Sequence, residues 1–371
     1  MKVAINCRSF LTKQPTGIGR YAYHLVKSLA AVDQENDYQL YARPGLFRNV
    51  NGLLRCKAQN FTLCSDRFGR GPAAVLKKPD LYHEPSPGPW EAPTGVPAVV
   101  TVHDVIIKAY PQGHTRETID SGERYFKDIV RNAAKIICCS QNTRNDLQNY
   151  FSVPPGKMAM VYQGVDKEIF YPLGEDERPA AEKMIKDAGV DRDYLLSVGT
   201  IEPRKNLVNV IRAFHLLKTG GKFNGRLVVV GMKGWLHSDV GKVVSELGLE
   251  REILFLGYVP DRLLRYLYTG ARAFVFPSFY EGFGFPIVEA FCCEVPVVTS
   301  DRSACPEIAA DAALTVDPGD EVKIAAATEQ ILEDPGLCAD LIRKGRQRAE
   351  DFDFRKTAQE TLNIYKEVHA K

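Results

Sequence analysis

Ala273-Phe274-Val275-Phe276-Pro277-Ser278-Phe279-Tyr280-Glu281-Gly282-Phe283-Gly284-Phe285-Pro286-Ile287-Val288-Glu289-Ala290 is the most densely patterned stretch of the 371-residue chain. Its first four residues are apolar without alternation, as in a strand buried on both faces of a parallel sheet. A loop with two glycines follows, and Pro286 predicts the first turn of a helix. Strand, glycine loop and helix in this order argue for doubly wound α/β architecture. A helix starting here points unpaired N–H groups and a positive dipole end at its mouth, which is a seat for an anion. Gly282 and Gly284 let backbone approach a ligand with no Cβ in the way. Glu281 lies in the loop and Glu289 one turn into the helix, so two carboxylates flank that seat. A carboxylate accepts two hydrogen bonds at once, which suits a vicinal diol on a sugar or a ribose. A solvated loop glutamate followed by an ordinary helix glutamate is the bland alternative, and the flanking aromatics and glycines speak against it.

The same alternation extends in both directions. Strands are predicted at Lys2–Cys7, Ala98–Val102 and Lys135–Cys139, then at Tyr194–Val198, Arg226–Val230, Ile253–Leu256, Ala273–Phe276 and Pro296–Thr299. Helical periodicity lies between them, as in the stripe Leu207, Val210, Ile211, Phe214 and Leu217. The pattern occurs twice. Two Rossmann-like, doubly wound parallel-sheet domains facing across a cleft are therefore expected, covering residues 1–168 and 169–351. The boundary falls where periodicity lapses, after the turn Pro154-Pro155-Gly156 and the strand-like Met158–Val161. Residues 352–371 read as a final amphipathic helix.

Val198-Gly199-Thr200-Ile201-Glu202-Pro203-Arg204-Lys205-Asn206 is the second signal. A strand again runs into a loop, and two adjacent cations precede a helix. Such a pair neutralises a diphosphate without a metal. If Glu281 serves a sugar and Lys205 serves phosphate, Glu281→Ala is expected to leave diphosphate affinity nearly intact. Val99-Val100-Thr101-Val102-His103-Asp104 is the third signal, a strand end presenting His103 to a sugar hydroxyl and Asp104 to orient the ring. A satisfied structural histidine is the competing reading. Thr16-Gly17-Ile18-Gly19-Arg20-Tyr21 is the fourth, a flexible loop offering Gly17, Gly19 and an arginine.

Two look-alikes are set aside. Gly17-Ile18-Gly19-Arg20-Tyr21-Ala22 spells a dinucleotide fingerprint, but nine residues separate it from the first strand. The later strand near Gln39–Tyr41 also ends in no acid for a ribose. Asp191-Arg192-Asp193 imitates a metal-binding Asp-x-Asp but precedes its strand, so a solvated turn is expected.

Composition narrows the field. Forty-five per cent apolar and 25% charged residues describe a globular chain, and a net charge of +2 predicts no obligatory polyanion, nucleic acid included. Nine cysteines without C-x-x-C spacing predict buried thiols in a reducing compartment. No window approaches a membrane span and Met1–Cys7 lacks a signal-peptide core, so a cytoplasmic protein is expected. No cofactor and no metal is expected.

The chain resembles the family 4 glycosyltransferases, retaining enzymes of the GT-B fold, over essentially its whole length. The resemblance is most specific at Glu281 and Glu289 with seven residues between them, then at Gly199 through Asn206, then at His103-Asp104. It implies that Glu281 contacts the donor sugar, Glu289 the ribose, and Arg204 and Lys205 the diphosphate. It implies further that the backbone at Phe283, Gly284 and Phe285 supports sugar and phosphate. By the same likeness His103 touches the sugar, and Tyr258-Val259 reads the base through its backbone. The family's first loop usually carries two adjacent glycines, where this chain has Gly17-Ile18-Gly19. The family also returns its last helix to the first domain, which is expected of 352–371.

The function so implied is retaining, metal-independent transfer of a hexose from a nucleotide sugar to a saccharide or lipid-linked saccharide. The look of the first-domain motifs leans to GDP-mannose and bacterial surface-polysaccharide mannosyltransferases. An epimerase or phosphorylase of the same fold, a glycoside hydrolase, and a non-catalytic nucleotide-sugar-binding protein are the rivals. In the segment 43–80, eight cations face Asp66 and Asp80 alone and interleave with Leu46, Phe47, Leu53, Leu54, Phe61 and Phe68. That mixture predicts peripheral contact with an anionic membrane.

Overall fold

The computed structural model of the chain describes residues 1–9, 17–43, 58–232 and 238–371. They form two units, Met1–Gly164 with Phe352–Lys371, and Val165–Asp351.

The first unit is built on β1 (Lys2–Asn6), β2 (Asp37–Ala42), β3 (Phe61–Ser65), β4 (Leu81–Glu84), β5 (Ala98–Val102), β6 (Lys135–Cys138) and β7 (Met158–Met160). They pair in parallel in the order β3-β2-β1-β4-β5-β6-β7. β5 is buried throughout, and β1 throughout except at Lys2. Parallel pairing requires crossovers, and these are helices such as Gly17–Val32 and Arg116–Asn132.

In the second unit β8 (Tyr194–Val198), β9 (Arg226–Val230), β10 (Ile253–Gly257), β11 (Ala273–Phe276), β12 (Val297–Ser300) and β13 (Leu314–Val316) pair in parallel in the order β10-β9-β8-β11-β12-β13. The stripe Leu207, Val210, Ile211, Phe214 and Leu217 lies on the helix Leu207–Thr219 and is buried in the core.

Three strands go beyond those expected from sequence. β4, Leu81-Tyr82-His83-Glu84, is wholly buried although half of it is polar. Its polar groups are paired: His83 Nδ1 meets Tyr365 Oη at 2.6 Å and Nε2 meets Thr101 Oγ1 at 2.9 Å. Burial moves the His83 imidazole down to about 3, with His103 adding to the effect, so it stays neutral. β3 and β13 lie at sheet edges and are only partly buried, which blurs their pattern.

Gly17 and Gly19 stand in a helix, not in the loop expected. The helix Gly17–Val32 begins at Gly17, and Gly19 is buried within it. Burial of Tyr21, Ala22, Leu25, Val26 and Leu29 on one face outweighs the low helix propensity of glycine.

The last helix, Phe354–His369, belongs to the first unit. Its ring of Phe354 stacks on His24 with centroids 4.8 Å apart, Tyr365 bonds His83, and Glu367 pairs with Lys135 at 2.9 Å. At Gly164 a Cβ would stand 2.2 Å from the Phe354 backbone nitrogen, so this close approach needs glycine.

Candidate functional site

In the second unit the strand order reverses between β8 and β11. Ligands of open α/β sheets bind outside the carboxyl ends of the strands at such a point. The loop 199–206 leaves β8 there and the loop 277–284 leaves β11, so both main sequence signals share one place.

The two loops are laced by backbone. Phe279 N donates to Arg204 O at 2.8 Å, and Arg204 Nη1 donates to Tyr280 O at 3.2 Å. Asn206, left-handed at φ 61°, sends Nδ2 to Pro277 O at 2.9 Å and to Pro318 O at 2.5 Å. Asn206 is thus 3% exposed and holds the loops together. Gly199 has φ 150°, and a Cβ there would rest 3.4 Å from the Lys205 stem.

Charge is concentrated between these loops. Lys205 Nζ lies 2.6 Å from Glu281 Oε1, and Arg204 Nη1 lies 2.9 Å from Glu281 Oε2. Arg204 Nε reaches Glu202 Oε1 at 2.6 Å, and Lys205 Nζ sits 4.8 Å from the centre of the Phe276 ring. Glu281 is buried and its backbone N–H donates to Ser303 Oγ at 2.9 Å. Burial alone would raise the Glu281 carboxyl, but the charges of Arg204 and Lys205 hold it below its ordinary value. Burial and the neighbouring Arg204 push the Lys205 ammonium down, against the pull of Glu281. The result is a rigid cluster of two cations and two carboxylates, able to meet an anion and a hydroxyl side by side.

Gly284, at φ 102°, caps the helix Phe285–Cys292, with Pro286 in its first turn. Phe283 is buried, with its ring 5.2 Å from that of Phe285. Glu289 accepts from Tyr268 Oη at 2.9 Å and is half-buried on the same helix. Tyr258 is exposed and Val259 buried just past β10, two strands away from β8.

His103 and Asp104 stand at the carboxyl end of β5 in the first unit. His103 Nε2 lies 2.7 Å from Pro85 O, an acceptor, so Nε2 carries the proton. Nδ1 then accepts from Gln163 Nε2 at 2.7 Å, and Gln163 Oε1 is buried without a partner. Burial holds the ring below its ordinary pKa, so it is neutral near pH 7. Both ring nitrogens are thus engaged inside the first unit, and the His103 carbonyl accepts from Cys139 Sγ at 2.8 Å and Thr143 Oγ1 at 3.2 Å. Asp104 Oδ1 accepts from Ile106 N at 3.1 Å.

Residues 15–169 match the family described as Glycosyltransferase Family 4, and residues 181–348 match Glycosyl transferases group 1. O-antigen chain mannosyltransferase B of Escherichia coli is 30% identical over 95% of this chain and 96% of its own length. The chain belongs to glycosyltransferase family 4. O-antigen chain mannosyltransferase RfbU of Salmonella typhimurium is 27% identical over 69% of this chain and 65% of its own. Sucrose-phosphate synthase from Thermosynechococcus elongatus superimposes with a TM-score of 0.76 at 19% identity, covering 100% of this chain and 99% of that one. That likeness carries the GT-B fold and no more.

In this glycosyltransferase, sequence reasoning passed over Glu202, Ser303 and Gln163. Glu202 lay inside a quoted motif but had no visible partner, while Ser303 and Gln163 are distant in sequence from the groups they hold. Asp191 and Asp193 face Arg226 at 3.0 Å and Arg272 at 2.8 Å. Of the basic segment, Leu46, Phe47, Leu53 and Leu54 lie outside the described residues. Phe61 turns inward to stack on Tyr38, and Asp66 is buried beneath Tyr41, while Arg67, Phe68, Arg70, Lys77 and Lys78 are exposed. Among the described residues no helix is long and apolar enough to cross a membrane.

Proposed function

We propose that the enzyme transfers a hexose, with retention and without a metal, from a nucleotide sugar to a saccharide or lipid-linked saccharide in polysaccharide biosynthesis. GDP-mannose is the donor favoured, on the strength of the two O-antigen mannosyltransferases it is similar to. The observation that carries the reading is the Arg204–Lys205–Glu281 cluster at the strand-order reversal, beside the N-terminus of Phe285–Cys292. Two fixed cations and a helix dipole supply charge for a leaving diphosphate. Glu281 accepts from sugar hydroxyls, and Glu289 accepts from a ribose. The backbone of Phe283, Gly284 and Phe285 lies along sugar and phosphate, and that of Tyr258 and Val259 along the base. The acceptor hydroxyl attacks the face from which the diphosphate departs, and a phosphate oxygen takes its proton. No protein nucleophile is needed. For His103 and Asp104 the family likeness alone speaks.

The deciding experiment offers the protein a panel of nucleotide sugars and mannose-terminated acceptors, with and without EDTA. Transfer from GDP-mannose that survives chelation, and a first product with the donor's anomeric configuration by NMR, are expected. Loss in EDTA restored by Mg²⁺, or inversion, refutes the corresponding part. Peripheral membrane contact rests on exposed Phe68, with Arg70 5.5 Å above its ring, and its basic neighbours. Co-sedimentation with anionic liposomes that disappears at high salt is expected.

A further inference from the structure

Donor binding gives Arg204, Lys205 and Glu281 each a part, but it leaves Glu202 without one. The Glu202 carboxylate is nonetheless packed into the same cluster, its side chain 4% exposed. Burying a carboxylate costs free energy unless it is paired, so its place beside an anion site needs a reason. Its backbone is extended at φ −144°, and its carbonyl accepts from Lys205 N at 3.0 Å, closing the turn Pro203–Lys205. Any residue could make that bond. The side chain does something more specific, because Oε1 lies 2.6 Å from Arg204 Nε.

Arg204 is thereby held at separate nitrogens by separate loops. Nε faces Glu202 on the loop after β8. Nη1 faces Glu281 Oε2 at 2.9 Å and Tyr280 O at 3.2 Å, both on the loop after β11. A planar guanidinium fixed at two of its nitrogens is restrained in both position and tilt. A donor whose sugar hydroxyls engage Glu281 competes for one of these anchors and leaves the Glu202 anchor in place.

The charges matter as much as the geometry. Glu202 and Glu281 against Arg204 and Lys205 sum to zero. Burial and Arg204 lower the Lys205 ammonium, and Glu281 and Glu202 pull it back up, so Lys205 feels both carboxylates. A site shaped only for a tight hold on diphosphate would be more positive than this.

We propose that Glu202 is a positioning residue: it holds Arg204 for the leaving diphosphate while its charge loosens the hold on the free nucleoside diphosphate product. The proposal rests on the reading of this cluster as the donor diphosphate site. In a nucleotide sugar both phosphates are esterified at their outer ends. After transfer the terminal phosphate is free and carries further negative charge near neutral pH. A neighbouring carboxylate therefore opposes the product more than the donor. The cations that stabilise the leaving group also bind what has left, and Glu202 offsets that grip without surrendering the fixed geometry.

Isothermal titration of the full-length protein with GDP and GDP-mannose, and in parallel with UDP and UDP-glucose, reads the effect without an acceptor. Glu202→Gln keeps an oxygen for Arg204 Nε and removes the charge. It is expected to tighten product binding about fourfold more than donor binding, the worth of an extra unit charge about 5 Å away in water-like screening. Glu202→Asp keeps the charge and should leave the product-to-donor affinity ratio at its wild-type value. In transfer assays Glu202→Ala should lower kcat/KM about tenfold, from the lost anchor on Arg204, even though it binds product more tightly. A merely structural role would weaken donor and product together. Equal shifts for donor and product in Glu202→Gln, or weaker product binding in Glu202→Gln and Glu202→Ala, overturns the proposal. A wild type that binds neither nucleotide pair sinks the donor reading and this proposal with it. A wild type that binds one pair, with an unchanged ratio in Glu202→Gln, sinks the role of Glu202 alone.

Discussion

Glu281 spreads its two carboxylate oxygens over two cations, one on Lys205 and one on Arg204. Removing its charge therefore does more than delete a partner for a sugar hydroxyl, because both cations are released. Glu281→Gln is expected to lower kcat/KM by about one to two factors of ten, from a lost hydrogen bond to a charged group. It should also tighten binding of a bare nucleoside diphosphate, since the competing anion is gone, whereas Lys205→Ala should weaken it. Isothermal titration of the three proteins decides, and equal losses in both variants would refute the division of roles. The sequence alone led to near-intact diphosphate affinity, and the pairing geometry changes that expectation. Glu84 makes a second residue-scale prediction. Its folded pKa of about 7 lies above the ordinary 4.5, so its stabilising effect is fully present below about pH 4.5 and is lost as pH rises through about 7. The melting temperature of the wild type should fall over that window relative to Glu84→Gln, by an amount worth up to about 3 kcal/mol.

At the scale of elements, the turns that leave β8 and β9 touch. A Cβ on Gly231, which has φ 149°, would stand 1.9 Å from the Gly199 carbonyl oxygen. Gly231→Ala must therefore displace the loop that carries Arg204 and Lys205, and about 1–3 kcal/mol of stability should go with it, along with donor affinity. Gly241, on the helix Ser238–Glu246, has nothing within 4 Å of an added Cβ. Gly241→Ala should leave affinity alone and stabilise by about 0.4–1 kcal/mol through the unfolded chain. Scanning calorimetry of the two variants tests the contrast, and a shared sign would show that the close approach does not matter.

Across the whole molecule, the first unit is assembled from both ends of the chain. Phe354–His369 supplies Tyr365 to the buried His83 and Phe354 to the ring of His24. The first unit cannot complete its core until the last residues are made, whereas Val165–Asp351 is continuous in sequence. A chain truncated after Asp351 is expected to lose cooperative unfolding of the first unit while still binding GDP. Limited proteolysis and calorimetry would show it, and an unperturbed first unit would contradict it. Tyr365→Phe is the milder test. It leaves one nitrogen of buried His83 unpaired and should cost about 1–3 kcal/mol.

The chain by itself determined the parallel sheets, because short Val- and Phe-rich runs without alternation, such as Ala98–Val102 and Ala273–Phe276, suit little else. It also marked Gly199–Asn206 and Glu281–Glu289, where glycines, cations and carboxylates crowd in a local order that a single strand–loop–helix unit explains. Tertiary structure decided whatever depends on partners far apart in sequence. β4 escaped notice because its His83 and Glu84 are buried by virtue of Tyr365, Thr101, Asn6 and Tyr82. Gly17 and Gly19 became helix because the face that follows them packs into the core, a gain that local propensity does not contain. Glu281 acquired its two cations, and Glu84 its raised pKa, for the same reason: burial and charge pairing are properties of position in space, and loops meeting at a strand-order reversal are neighbours there alone.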